Sequence, residues 1–120
     1  MCILLLGCGG AGSSPESAVR ALAKAAKAGD SAAVYARLAP RTKQTLADRA
    51  KLARDQAAGR KEFKPEDMVS LGGAPKWEPV RVRELERTGD RALVEVTGPE
   101  GQIQDVRAVR DHGEWFVELP

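Results

Sequence analysis

The chain has 120 residues, of which 42% are hydrophobic and 30% charged, and its formal net charge is +2. This composition is typical of one soluble globular domain, and it excludes a multi-span membrane protein and argues against wholesale disorder. The 19 basic and 17 acidic residues are interleaved along the chain. Nucleic-acid-binding domains gather their cations on one surface, so we expect no nucleic-acid partner and interpret the basic residues between positions 41 and 61 as a solvated helical face.

The first residues of the chain carry its most specific motif. An apolar run, Ile3 to Leu6, is followed by Gly7 and Cys8. The sequence Leu5-Leu6-Gly7-Cys8 resembles a bacterial lipobox, in which a signal peptidase cuts before the cysteine and the thiol becomes diacylglyceryl-modified. The resemblance implies a lipid-anchored protein of the bacterial cell envelope, facing the periplasm or the exterior, whose membrane partner is reached through lipid on Cys8. A short hydrophobic strand or tail is the alternative.

The residues after Cys8 suit a tether. Residues 9–14 are glycine, alanine and serine, which cannot build a core but can connect a lipid to a folded domain. We therefore divide the chain into residues 1–13, a signal remnant with a flexible tether, and residues 14–120, one domain. Cys2 and Cys8 are the only cysteines, so the domain can form no disulfide and no cysteine metal site, although a Cys2–Cys8 bridge stays open if the leader is retained.

Three helices are predicted in the first half of the domain. Ser14, followed by a proline and an acidic residue, is typical of a helix start, and Gly29 ends the first helix after an apolar stripe at helical spacing. Asp30 begins a short second helix, which Pro40 stops. The third helix is predicted over residues 41–58 and closed by a glycine, with an alanine-rich face suited to close helix approach.

Residues 60–79 are predicted to form a connector. A helical turn is expected at Pro65 to Met68 and a loop at residues 72–75. Because twenty residues are long for a structureless link, we expect part of the connector to contact the domain. The expected anchors are Phe63, Met68 and Trp77, and Trp77 is also a candidate for a pocket rim.

The last forty residues predict an antiparallel β-meander. Apolar and polar residues alternate from Val80 to Leu119, and three glycine-containing turns interrupt them at residues 88–90, 98–101 and 111–113. The alternation places Trp115 in the core.

Three short sequence motifs stand out within residues 15–120: Ala28-Gly29-Asp30, Gly89-Asp90-Arg91-Ala92-Leu93-Val94 and Asp111-His112-Gly113-Glu114-Trp115-Phe116-Val117. With these motifs, the order of three helices followed by a meander resembles the nuclear transport factor 2-like (NTF2-like), or cystatin-like, superfamily, and looks similar to small envelope lipoproteins of the domain-of-unknown-function 4878 type. The resemblance implies an α+β fold in which about three helices pack on a curved antiparallel meander of about four strands and leave a cone-shaped cavity. Enzymes of the superfamily place Asp, Tyr and His side chains in that cavity.

Few residues are candidates for chemistry. His112 is the only histidine and is interpreted as part of a turn, so no histidine pair for a metal and no Ser-His-Asp set is expected. Tyr35 is interpreted as a core residue with its hydroxyl at the edge. For an acid–base site the candidates are Asp48, Asp55 and Asp105, the last interpreted as a solvated residue beside Arg107 on the outer face of the sheet.

Two functions are therefore compared. The favoured one is a non-catalytic, lipid-anchored envelope protein that binds a small apolar ligand or a protein partner and needs no catalytic residue, metal or cofactor. The alternative is a small cavity enzyme of the isomerase or dehydratase type. The enzyme requires a carboxylate and a Tyr or His converging in a closed apolar pocket. The binding protein is favoured if the cavity is filled by Leu22, Val34, Leu46, Trp115 and Val117.

Overall fold

The structure is a computed structural model that describes residues 12–60, 62–71 and 78–119. In this part of the chain helices precede strands, so the predicted α+β class with a four-stranded antiparallel sheet is confirmed. The helices are α1 (Pro15–Ala28), α2 (Ser31–Ala36), α3 (Pro40–Gln56) and α4 (Pro65–Leu71). The strands are β1 (Arg81–Thr88), β2 (Arg91–Thr97), β3 (Ile103–Asp111) and β4 (Glu114–Glu118).

Helix α1 begins and ends at the residues that the sequence predicts. The Ser14 hydroxyl accepts a hydrogen bond from the Ser17 N–H at 3.0 Å, which satisfies one of the unpaired donors of the first turn. Gly29 adopts the left-handed conformation, with φ of 71°, and its N–H points to the carbonyls of the last turn. A glycine is favoured there because other residues are strained at positive φ.

The boundaries of α2 and α3 also agree closely with prediction. The Asp30 carboxylate accepts from the Ala33 N–H at 3.1 Å and so begins α2. Pro40 occupies the first turn of α3, where its missing N–H is not needed. The helix ends at Gln56, two residues before the predicted end, because Ala58 and Gly59 both have positive φ, at 54° and 75°.

The connector contains a longer helix than the predicted turn. Helix α4 spans seven residues and packs against α2 and α3. Met68 is buried and Phe63 packs against the core, as expected of these anchors. The third expected anchor, Trp77, lies outside the described residues.

The sheet is a simple meander with strand order β1-β2-β3-β4. Its first strand begins at Arg81 instead of Val80, whose side chain is 67% exposed, because the regular alternation starts only with buried Val82. A β-bulge between Glu84 and Glu86 then shifts the register of β1 against β2. A bulge reverses which side chains point to each face of the strand beyond it.

The core lies between α1 and one face of this sheet, called here the inner face. Helix α1 contacts all four strands through a stripe that includes Val19 and Leu22, both fully buried. The other face, the outer face, carries exposed or half-buried residues, among them Arg83 and Glu95. The buried inner-face residues are Val82, Ala92, Val94, Val96, Val106, Ala108, Trp115 and Val117.

Candidate functional site

The interior of the domain, where a cone cavity would lie, is occupied by apolar side chains. Within the part of the chain that the structure describes, Thr42 is the one polar or charged residue in the buried set, and its hydroxyl accepts a hydrogen bond from the Leu119 N–H at 3.1 Å. The five side chains expected of a filled cavity belong to a single core cluster. They are Leu22, Val34, Leu46, Trp115 and Val117.

The candidate acid–base residues lie at the surface. His112 occupies the turn between β3 and β4, where its side chain is 92% exposed and contacts the Asp111 carboxylate at 3.1 Å. Asp48 and Asp55 are exposed on α3, and Asp105 is exposed on the outer face, as expected. These groups therefore lie on separate solvated surfaces.

Tyr35 is half-buried at the margin of the core, which agrees with its interpretation as a core-edge residue. The Lys43 ammonium lies 5.5 Å from the centre of its ring. The same ammonium lies 5.6 Å from the ring of Phe116 on β4, so Tyr35 is at the edge of the domain near β4.

Trp115 is the largest inner-face side chain, and two guanidinium groups cover it. Arg87 and Arg110 lie 5.1 and 5.4 Å from the centre of its ring. The two arginines are themselves held by carboxylates, Arg87 by Glu84 at 2.7 Å and Arg110 by Asp90 at 2.9 Å. The hydrogen bond to Glu84 raises the pKa of Arg87. This cluster joins the core to the polar end of the inner face.

The free edge of β1 is covered by side chains from α1. The Glu84 N–H donates to the Glu16 carboxylate at 3.0 Å, and an Arg20 guanidinium N–H donates to the Val82 carbonyl at 3.4 Å. An uncovered edge strand is a template for pairing with other chains, so these two contacts protect the sheet edge.

The edge of β4 is covered by main chain and by a threonine. Trp115 N–H donates to the Gly12 carbonyl at 2.9 Å, and Val117 N–H donates to the Arg37 carbonyl at 2.9 Å. Leu38 forms a parallel bridge with Val117. The segment around Leu38 therefore extends the sheet for one residue beyond β4.

A shallow groove of about 290 Å³ crosses the outer face at the end of the β1–β2 hairpin. Leu93 lies between Glu86 on β1 and Arg107 on β3, and Arg91 is the diagonal neighbour of Arg107 across the β2–β3 pair. The two guanidinium groups have no ion-pair partner among residues 12–60, 62–71 and 78–119. The lining residues are Glu86, Thr88, Arg91, Ala92, Leu93, Arg107 and Ala108.

The groove brings together side chains of opposite charge around an apolar residue. It combines an apolar floor at Leu93 with two cations and, opposite them, the Glu86 carboxylate. Diagonal neighbours on paired strands are within reach of one anionic group when the side chains are long. The arrangement can hold a small anionic or zwitterionic molecule, or an exposed segment of a partner protein.

Two further findings concern metals and membranes. No group of three or more His, Cys, Asp or Glu residues among those described is arranged to hold a metal ion. None of the described helices combines the length and apolar character needed to cross a bilayer. The predicted lipidation site, Cys8, lies outside the described residues.

No family model, curated protein or solved structure matches the chain.

Sequence reasoning missed the contacts that close the two edges of the sheet. Glu16 was interpreted only as an acidic residue typical of a helix start, and Thr42 was not singled out, yet both accept a hydrogen bond from a backbone N–H far away in the chain. Their partners lie 68 and 77 residues away, so no local pattern reports them. The position of Arg110 on the inner face was predictable, because it alternates in register with Val106 and Ala108.

Proposed function

We propose that this chain is a non-catalytic binding protein of the bacterial cell envelope, held to the membrane by lipid on Cys8. Its domain has NTF2-like architecture and binds a small ligand or a protein partner. The single observation that carries the proposal is the filled interior, in which Leu22, Val34 and Trp115 belong to one apolar cluster. A cone-shaped active site would need that space for a substrate.

The distribution of ionisable groups also favours binding over catalysis. An isomerase or dehydratase of the cavity type needs a carboxylate close to a Tyr or His in a water-excluded pocket. Here His112 is almost fully exposed, and Asp105 lies on the outer face. Tyr35 contacts Lys43 at the margin of the core. Nothing in this arrangement favours the cavity enzyme.

The order of elements supports the NTF2-like assignment. Helices α1 to α3 precede a four-stranded antiparallel meander, and α1 lies across all four strands. With its interior filled by side chains, this domain would be a variant of the fold without a cavity, and it would bind its ligand or partner at the surface. The groove around Leu93 and Arg107 is the surface that we assign to the ligand or partner.

The proposal is tested by fractionating cells that express the full chain. We expect the wild-type protein and a Cys2→Ser control in the membrane fraction, and a Cys8→Ser variant in the soluble fraction, because only the second substitution removes the thiol that carries the lipid. A Cys8→Ser variant that stays in the membrane fraction would refute the lipid anchor.

A further inference from the structure

The point at which the tether enters the domain is fixed at Gly12. Its carbonyl accepts a hydrogen bond from Trp115 N–H at 2.9 Å, and the residue is buried. A Cβ atom at this position would lie 2.7 Å from the Arg37 guanidinium. Gly12 is therefore held against the edge of β4, next to Arg37.

The covalent length of the tether limits how far the domain can stand from the membrane. Cys8 and Gly12 are separated by four residue steps. An extended chain spans at most about 3.3–3.6 Å per residue, so a lipid on Cys8 lies within about 14 Å of Gly12 whatever conformation the tether adopts. The bilayer must therefore lie close to the surface around Gly12.

That surface carries a cluster of cations and aromatic rings, which we call the cation–aromatic edge and define as Tyr35, Arg37, Lys43 and Phe116. The Arg37 guanidinium lies 4.7 Å and the Lys43 ammonium 5.6 Å from the centre of the Phe116 ring. Lys43 is also 5.5 Å from the ring of Tyr35. Basic groups beside aromatic rings are the combination that proteins place at a membrane surface.

The charges around the cation–aromatic edge leave a positive excess on its helical side. Arg37 is paired with Glu114 at 3.4 Å, and its own side chain is only 14% exposed. Arg41, exposed in the first turn of α3, and half-buried Lys43 have no ion-pair partner within the described ranges. The nearby acid Glu118 lies on the same face as Phe116 and is half-buried. The basic side chains available to an anionic surface are therefore those of α3.

We propose that the cation–aromatic edge faces the bilayer and that Lys43 and Arg41 bind the phosphate groups of anionic phospholipids. This inference rests on the proposed lipid anchor at Cys8. It also assigns an orientation to the molecule: β1 lies three strand spacings, about 14 Å, from β4, so β1 is on the side of the sheet away from the bilayer.

The orientation is tested by footprinting lysines on a chemically anchored protein. A full-length Cys2→Ser chain is coupled through Cys8 to a maleimide phospholipid in vesicles of phosphatidylcholine and phosphatidylglycerol. A water-soluble acylating reagent then labels the lysines, and mass spectrometry measures the rate at each position. The same conjugate dissolved in detergent is the reference state.

We expect Lys43 to be acylated about fivefold more slowly on vesicles than in detergent, the factor that corresponds to one basic side chain held at an anionic surface. Lys27 is the internal control, because it is exposed in the last turn of α1, about 20 Å along the helix from Ser14. Equal labelling of Lys43 in both states, or protection of Lys27 instead, would overturn the orientation.

A charge-neutralising variant separates lipid binding from simple shielding by proximity. The variant carries Arg41→Gln and Lys43→Gln in the Cys2→Ser background, so it keeps the tether through Cys8 but lacks the two cations. We expect Lys51 to be acylated faster on vesicles in this variant, because the cation–aromatic edge no longer binds the bilayer surface. An unchanged Lys51 rate would contradict a role for these two cations. Because coupling to Cys8 is chemical here, failure of the anchor in cells would appear only in the fractionation of the Cys8→Ser variant.

Discussion

At the scale of single residues, Trp115 connects the core to the polar end of the sheet. The residue is 2% exposed, and its ring is covered by Arg87 and Arg110, which are held in place by carboxylates. The indole therefore contributes apolar burial, while the guanidinium groups contact its ring and remain charged and solvated.

Trp115→Ala should lower the free energy of unfolding by about 3–5 kcal/mol, because it removes a buried aromatic side chain and leaves a cavity. Urea unfolding followed by circular dichroism measures the loss. Phe116→Ala is the matched control, since its neighbouring ring is only half-buried on the outer face, and it should cost clearly less. Equal losses for the two variants would contradict the assigned faces of β4.

Glu16 links α1 to the edge of β1 through a single hydrogen bond. Its carboxylate accepts from the Glu84 N–H at 3.0 Å beside the β-bulge. Glu16→Ala should destabilise the protein by about 1–2 kcal/mol, because a charged acceptor and a favourable charge at the helix start are both lost. Thermal or urea unfolding checks this value.

The Glu16→Gln variant keeps an oxygen acceptor and should lose less than half as much as the alanine variant. Glu66→Ala provides the control for the helix dipole alone, because Glu66 lies in the first turn of α4. If Glu16→Ala were no more damaging than Glu66→Ala, the bond to β1 would contribute nothing to stability.

At this scale the sequence predicted contacts between residues close together in the chain, but not contacts between residues far apart. Ser14, Gly29 and Asp30 act within a few residues of the chain, so helix-boundary rules found them. Glu16 acts on a residue 68 positions away, and its role depends on how α1 crosses the sheet. That crossing is set by tertiary packing, which no short window of sequence encodes.

At the scale of elements, β4 depends on three separate acceptors along its edge. The N–H groups of Trp115, Val117 and Leu119 donate in turn to Gly12, Arg37 and Thr42. Alternate residues of an edge strand direct their N–H groups outward, so these three bonds close every second position.

Thr42→Val should destabilise the protein by about 1–1.5 kcal/mol and accelerate hydrogen exchange at the Leu119 amide, because the buried hydroxyl that accepts this bond is replaced by a methyl group. Amide exchange measured by nuclear magnetic resonance gives the site-specific result. Thr45→Val, one turn along α3 and exposed, should leave Leu119 unchanged. Unaltered exchange in Thr42→Val would show that the bond is not the protecting contact.

The strands themselves were predictable because alternation and turns agree along the last forty residues. The β-bulge in β1 was not, and it reverses the faces of the residues that follow it. Uninterrupted alternation from Val82 would direct Glu86 inward and Arg87 outward. The bulge instead places Glu86 in the outer groove and Arg87 over Trp115, so both surface clusters depend on an irregularity that the sequence does not reveal.

At the scale of the whole molecule, apolar side chains pack the core between α1 and the inner face of the sheet. Ala108 is 1% exposed and lies directly between Ala92 and Val117 across the sheet. Small residues at this point let α1 approach the strands closely. In a hollow cone, the same position would border empty space.

Ala108→Leu should therefore destabilise the protein by about 1–3 kcal/mol, because added methylene groups have no space in a filled core. Val109→Leu, at the next residue but on the outer face, should change stability by less than about 0.5 kcal/mol. Urea unfolding of both variants makes the comparison. An Ala108→Leu variant as stable as wild type would indicate an interior with room for a ligand.

The candidate sites could be predicted only partly from the sequence, because they combine residues that are far apart in the chain. Residue types can exclude a histidine-pair metal site, and a disulfide within residues 14–120, and alternation can identify Trp115 as core. The groove, by contrast, is formed by Glu86, Leu93 and Arg107 from three strands, and the cation–aromatic edge joins α2, α3 and β4. Sites of this kind arise from the assembled fold.

The measurement that tests the account most directly is mass spectrometry of the native protein isolated from its host membrane. We predict a chain that begins at Cys8, with diacylglyceryl on the thiol and the residues before it removed. An unmodified chain that retains Met1 and is recovered in the soluble fraction would contradict the account, because neither the anchor nor the orientation of the β4 edge would then have a physical basis.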